Sequence, residues 1–116
     1  MRATIIIDDE TYTYFPTFVR NDYGYIITFN VREDDDTAYN LTGHTAIFKT
    51  KLVSSSFVSV SSPCTVSSAG AGIVVYTIAS GDLMTSGVYN AELQVNYGTT
   101  SVQTVSLGKL FVQDDL

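Results

Sequence analysis

The chain has a single cysteine, Cys64, and a single histidine, His44. One cysteine excludes an internal disulfide and any cysteine-cluster zinc site. Cys64 therefore reads as a small residue in or beside a strand, and a reducing compartment is permitted. One histidine, with no G-x-S-x-G anywhere, leaves Ser-His-Asp catalysis without its frame. Charged residues make up only 16% of the chain, against the usual ~25%. Ala, Leu, Lys, Glu and Arg, the residues of long helices, are scarce. No stretch approaches the ~18 apolar residues of a membrane-spanning helix, and the apolar run in "MRATIIIDD" is too short for a signal peptide. No internal repeat is present, and no window carries a 3.6-residue apolar period.

What the chain has instead is eight Tyr, six Phe and many Ser, Thr and Val, a composition suited to pleated, half-buried surfaces. Its 116 residues fit one domain able to bury roughly two-thirds of the unfolded surface without disulfides or metals. Twelve acids against six bases give a net charge of −6, which repels nucleic-acid phosphates and acidic membranes alike.

Period-two alternation runs through the sequence. In "YIITFNVR", Tyr25, Ile27, Phe29 and Val31 share one face. In "VYNAELQVNYG", Tyr89, Ala91, Leu93, Val95 and Tyr97 point inward, with Asn90, Glu92, Gln94 and Asn96 outward. "TAIFKTKL" sets Ala46, Phe48 and Leu52 against Lys49 and Lys51. "GIVVYTI" and "SVQTVSLGKLFVQ" are further strands, the latter bent at Gly108; "ATIII" and "SFVSV" (56–60) are shorter ones. Turn residues separate these runs at 21–24, 33–36, 69–72 and 97–99. "SGDLMTSG" (80–87) is expected to hold a single helical turn, and the Ser-rich 54–68 a weak strand pair or edge hairpin. About seven short strands predict an all-β, immunoglobulin-like antiparallel β-sandwich, a single domain over 1–116. In that fold an acid, a turn and Gly-x-Tyr open the penultimate strand, and the tyrosine hydroxyl bonds back to the corner. Asp82, Gly87 and Tyr89 fit those places; a plain strand tyrosine is the alternative.

Sites of chemistry are thin. "YNLTGHTAIFKTK" gathers His44, two lysines and the sequon Asn40-Leu41-Thr42, yet it reads as a turn feeding a strand. "GAG" at 70–72 precedes a strand and is a sharp turn, not a dinucleotide loop. An EF-hand loop opened at Asp34 needs Gly and Glu where the chain has Tyr39 and Thr45. A looser calcium loop drawing on Asp8, Asp9, Asp114 or Asp115 is the alternative to a solvated acidic hairpin tip. Glu92 lies on an outward strand face, and no acid is paired with an apolar pocket, so glycoside hydrolysis has no support. No catalytic, cofactor or metal-binding residue is assigned. The densest feature is "TYTYFPTFVRNDYGY", six of the chain's fourteen aromatics. Tyr12, Tyr14, Phe15, Phe18 and Tyr23 are the candidate partner-interface residues, aromatics being preferred interface anchors. Two other readings stand beside this one: a plug over an open end of the sandwich, and a stacking platform for sugars.

Two blocks carry a family resemblance. "DYGYIITFNVREDDDTAYNLTGHTAIFKTKL" resembles the opening of the phage baseplate upper protein N-terminal domain family. Asn40, Leu41, Thr42, Gly43, Thr45, Ala46, Phe48 and Lys49 match its central signature. "GIVVYTIASGDLMTSGVYNAELQV" resembles the family's later strand, turn and Gly-x-Tyr strand through Gly87, Tyr89, Glu92, Leu93 and Val95. The resemblance implies a non-enzymatic, immunoglobulin-like structural module of a tailed-phage virion, serving baseplate, tail or fibre attachment. Implied with it are other virion proteins as partners in a symmetric multimer or hetero-assembly, no nucleic acid or membrane, no cofactor, and assembly in the host cytoplasm. Residues 1–21, an N-terminal strand and the aromatic segment, are expected to contact a neighbour. A carbohydrate-binding or host-surface adhesion module, and a capsid decoration protein, are the alternatives.

Overall fold

A computed structural model describes residues 1–55 and 58–115. Its ten strands are β1 (Arg2–Ile7), β2 (Glu10–Tyr12), β3 (Phe18–Val19), β4 (Ile26–Arg32), β5 (Thr45–Leu52), β6 (Val58–Pro63), β7 (Thr65–Ser68), β8 (Ile73–Thr77), β9 (Gly87–Tyr97) and β10 (Ser101–Gln113). They form two five-stranded sheets, in the orders β2-β1-β4-β8-β7 and β3-β10-β9-β5-β6. Labelled by the immunoglobulin pattern, β1, β4, β8 and β7 stand as A, B, E and D, and β5, β9 and β10 as C, F and G. The extra strand β6 flanks β5, and β3 runs parallel to β10.

The strand count exceeds the expected seven for local reasons. The N-terminal stretch breaks at Asp8 and Asp9, both at positive φ, and again at Pro16, which gives three short strands instead of one. The expected helical turn at 80–87 is an irregular corner, and no helix occurs among the described residues. Asp82 draws this corner together: its Oδ2 accepts the Ala79 N–H at 2.9 Å and the Tyr76 hydroxyl. Tyr89 then donates its hydroxyl to the Thr85 carbonyl, which is the tyrosine-corner bond of the immunoglobulin fold.

The core follows the alternation. Ile27, Phe29 and Val31 of β4 meet Ala46 and Phe48 of β5 and Ala91, Leu93 and Val95 of β9, all buried. Phe29 stacks on Phe48 across the two sheets, ring centroids 5.8 Å apart. Leu41, on the loop entering β5, is also buried. Tyr97 departs from the pattern: at the strand's end it is 46% exposed. Its ring packs on His44 and would touch a Cβ placed at Gly43. At Gly108 the β9–β10 register shifts, with φ at +80°, which is the bulge the glycine marks.

The Ser-rich segment corrects the hairpin expectation. β6 pairs with β5 in one sheet, β7 pairs with β8 in the other, and the chain changes sheets at Cys64 alone. Ser56 and Phe57, the start of the expected 56–60 strand, lie outside the described residues. At the crossing, the Cys64 N–H donates to the Ala46 carbonyl at 2.8 Å. Burial pushes the Cys64 thiol up to about 11, with the Phe48 backbone pulling weakly the other way. Two units above an ordinary thiol leave roughly a hundredfold less thiolate at pH 8. Iodoacetamide should therefore alkylate the native protein about a hundred times more slowly than the urea-unfolded chain. Equal rates would refute the burial argument.

Candidate protein-interaction surface

The aromatic segment crosses from one sheet to the other along their common border. β2 ends at Tyr12, whose hydroxyl donates to Glu10 Oε2 at 3.0 Å. Residues 13–17 then pass over to β3. On the way Phe15 turns inward, its ring centroid 6.3 Å from that of Phe18 and 6.2 Å from that of Phe48. Phe18 packs edge-on against Tyr25 at 5.2 Å. Tyr25 in turn donates to Asp22 Oδ2 at 3.2 Å. Phe15 and Phe18 are buried where the segment passes between the edges of the two sheets. Tyr14 and Tyr23 point the other way, 72% and 67% exposed, and Tyr12 is half-buried. The Tyr14 ring lies beside the bulge: a Cβ on Gly108 would sit 3.7 Å from its Cδ1.

Tyr23 belongs to a larger feature. The end of the sandwich where β4 and β9 begin, and where β5, β8 and β10 finish, is stitched by backbone hydrogen bonds between its loops. The Asn21 N–H donates to the Leu83 carbonyl and Gly24 to Ile78, both at 2.8 Å; Val53 donates to Val88 at 2.9 Å, and Arg20 to Gln113 at 2.8 Å. Held on or beside this end are exposed apolar side chains: Tyr23, Ile26, Val53, Val58, Met84 and Phe111. A shallow hollow at this end is lined by Leu52, Val53, Ser54, Ser86, Gly87 and Val88. Asp22 stands beside Tyr23, and Asp8, Asp9, Asp114 and Asp115 follow β1 and β10 where those strands finish at this end. Exposed apolar side chains carried on hydrogen-bonded loops, with acids nearby, are the kind of groups that protein-binding surfaces use. Sequence reading reached Tyr23 through its aromatic density. It passed over Met84 and Val53 because each sits alone in a turn, with no pattern to mark it.

The other candidate residues are placed as turns and caps. Asn40 Oδ1 accepts the Thr42 N–H at 3.0 Å and the Thr42 hydroxyl at 2.7 Å, a compact Asx-turn over the sequon. His44 Nδ1 lies 3.0 Å from the Thr42 carbonyl and so carries the proton. Its ring sits between Tyr39 and Tyr97, at centroid distances of 5.8 and 4.8 Å. In the acidic tip, Asp35 Oδ1 takes the Thr37 hydroxyl and N–H, which hold its carboxyl below the usual range. Asp36 pairs with Arg2, and Asp34 lies 2.9 Å from the Met1 ammonium. Asp8, Asp9, Asp114 and Asp115 stand at the opposite end of the strands, apart from this tip. Among the described residues no group of three His, Cys, Asp or Glu side chains is placed to hold a metal ion.

No curated protein and no solved structure matches the chain. The model of the BppU N-terminal domain family matches residues 18–115, which spans both sheets from β3 to the end of β10. The name places the family in the phage baseplate. The chain belongs to the BppU N-terminal domain family, the N-terminal domains of phage baseplate upper proteins.

Proposed function

We propose that this chain acts without catalysis, as a sandwich adaptor that joins other proteins of a tailed-phage virion, and that the apolar strand end with Tyr14 and Tyr23 is where a neighbour binds. The observation that carries the reading is the family match over 18–115. The two exposed tyrosines, on a segment whose Phe15 and Phe18 are buried, support the choice of surface. In this reading the chain is one domain, assembled in the host cytoplasm into a symmetric multimer or hetero-assembly, and residues 1–21 contribute to the contact through Tyr12 and Tyr14.

The test uses Y14S/Y23S and leaves Phe15 and Phe18 intact, because serine in the core would unfold the chain and mimic lost binding. Large exposed aromatics at interface centres are worth about 2 kcal/mol or more when truncated. The double variant should keep the native melting temperature within about 3 °C, since exposed substitutions have small effects. Its incorporation into purified particles, measured by mass spectrometry, should fall at least tenfold. Normal incorporation would sink the proposed surface. Normal incorporation combined with lost glycan binding would favour the adhesion reading instead.

A further inference from the structure

The three lysines of the chain all stand on one surface, the outer face of the β3-β10-β9-β5-β6 sheet. Register places Lys51 opposite Asn90 and Asn90 opposite Lys109, so these form one row across β5, β9 and β10. Lys109 Nζ donates to Asn90 Oδ1. The next row runs Ser61, Lys49, Glu92, Ser106. Between the rows lies a shallow groove of about 260 Å³, lined by Lys49, Lys51, Val58, Asn90 and Glu92. Val58 in its lining is exposed, and so is Phe111, on β10 next to Lys109's row. Glu92 is the one acid on this face, and among the described residues none of the three lysines has a carboxylate within salt-bridge distance.

A chain of net charge −6 thus concentrates unpaired positive charge on one sheet face. It also presents unpaired negative charge elsewhere. In the acidic tip at 33–36, Asp35 is bonded to Thr37 and Asp36 to Arg2. The β1–β2 turn differs: Asp8 and Asp9, at φ of 52° and 65°, lie with Glu10 in a tight hairpin, all three exposed and, among the described residues, without a cationic partner. A narrow, fixed acidic turn is complementary in sign to the open groove.

We propose that the lysine-bearing outer face of this sheet docks the acidic β1–β2 turn of a second copy of the chain. The contact joins two different surfaces, so it is heterologous, and repeats of it generate a ring when the rotation closes. The groove shares Val58 with the apolar strand end and the docked turn lies within residues 1–21, so the contact deepens the adaptor reading; its test leaves Tyr14 and Tyr23 in place, so the two fail separately.

Salt dependence gives the sharpest test, because the two opposing effects have opposite signs. Copies of net charge −6 repel, and that repulsion grows as salt is lowered. Lysine–carboxylate docking strengthens as salt is lowered. Sedimentation velocity on the full chain should show self-association at 50 mM NaCl that weakens at least tenfold at 500 mM. K49E/K51E should weaken association at 50 mM by at least tenfold. D8N/D9N, in which asparagine tolerates the left-handed turn, should do the same. Circular dichroism verifies that both variants fold. A monomer at every salt concentration, association that rises with salt, or association that folded K49E/K51E leaves unchanged would each overturn the proposal.

Discussion

F48A should cost about 3–5 kcal/mol of folding free energy. Phe48 is 1% exposed at the centre of β5. Its ring stacks on Phe29 from the opposite sheet, and it also meets Phe15 at 6.2 Å and Tyr76 at 5.0 Å. Truncation removes apolar contact on three sides. The neighbours cannot close the gap, since Phe29 is fixed by its strand and Phe15 by the crossing segment. A domain of this size holds roughly 5–15 kcal/mol in total, so the variant should melt some 10–25 °C lower. F111A, a deletion of the same ring from a 46% exposed site on the outer face of the same sheet, should cost below about 1 kcal/mol. Urea and thermal unfolding of the pair measure the contrast. A similar loss in both variants would mean that the inter-sheet core is not organised around Phe48.

The second large effect is expected at a residue with no side chain. Gly72 has φ of +70°, and a Cβ there would sit 2.4 Å from the Val31 carbonyl oxygen and 2.9 Å from that of Tyr39. Both obstacles are backbone, and the first is engaged: the Val31 carbonyl accepts the Tyr39 N–H at 3.0 Å, while the Val31 N–H donates to the Gly72 carbonyl at 2.8 Å. G72A therefore carries about 1–2 kcal/mol of left-handed strain and weakens one or two backbone hydrogen bonds worth about 1 kcal/mol each. The expected total is about 3 kcal/mol. Gly70 lies in the same turn with open space around its Cα and without positive φ. G70A should be neutral or stabilise by up to about 1 kcal/mol, by restricting the unfolded chain. If the two alanine variants unfold at the same urea concentration, the close approach at Gly72 has no energetic consequence.

These positions show what the sequence made legible. β5, β9 and β10 could be read nearly to the residue because alternation is local: each side chain's face depends only on its neighbours in the strand. The corner formed by Asp82, Gly87 and Tyr89 and the bulge at Gly108 could be read because turn chemistry is local too. Membership of a sheet is not local. Nothing in "VSVSSPCTVSS" reveals that its halves pair with β5 and β8 in different sheets, since that depends on partners far along the chain. The inward and outward turns of the aromatic segment were hidden for a related reason. Pro16 interrupts its period, so the inward turn of Phe15 and the outward turn of Tyr14 follow from where the chain crosses between sheets. The shared face of Lys49, Lys51 and Lys109 was equally hidden until β9 was seen to lie between β5 and β10.

The crossing at Cys64 has a mechanical consequence. β6 and β7 are the outer strands of opposite sheets, joined by one residue; β2 and β3, the outer strands on the other side, are joined by residues 13–17. Each side of the sandwich is therefore seamed, and a pull that peels an outer strand passes tension at once into the facing sheet. For a part built into a particle that bears load, fraying at a border would have to proceed through both layers together.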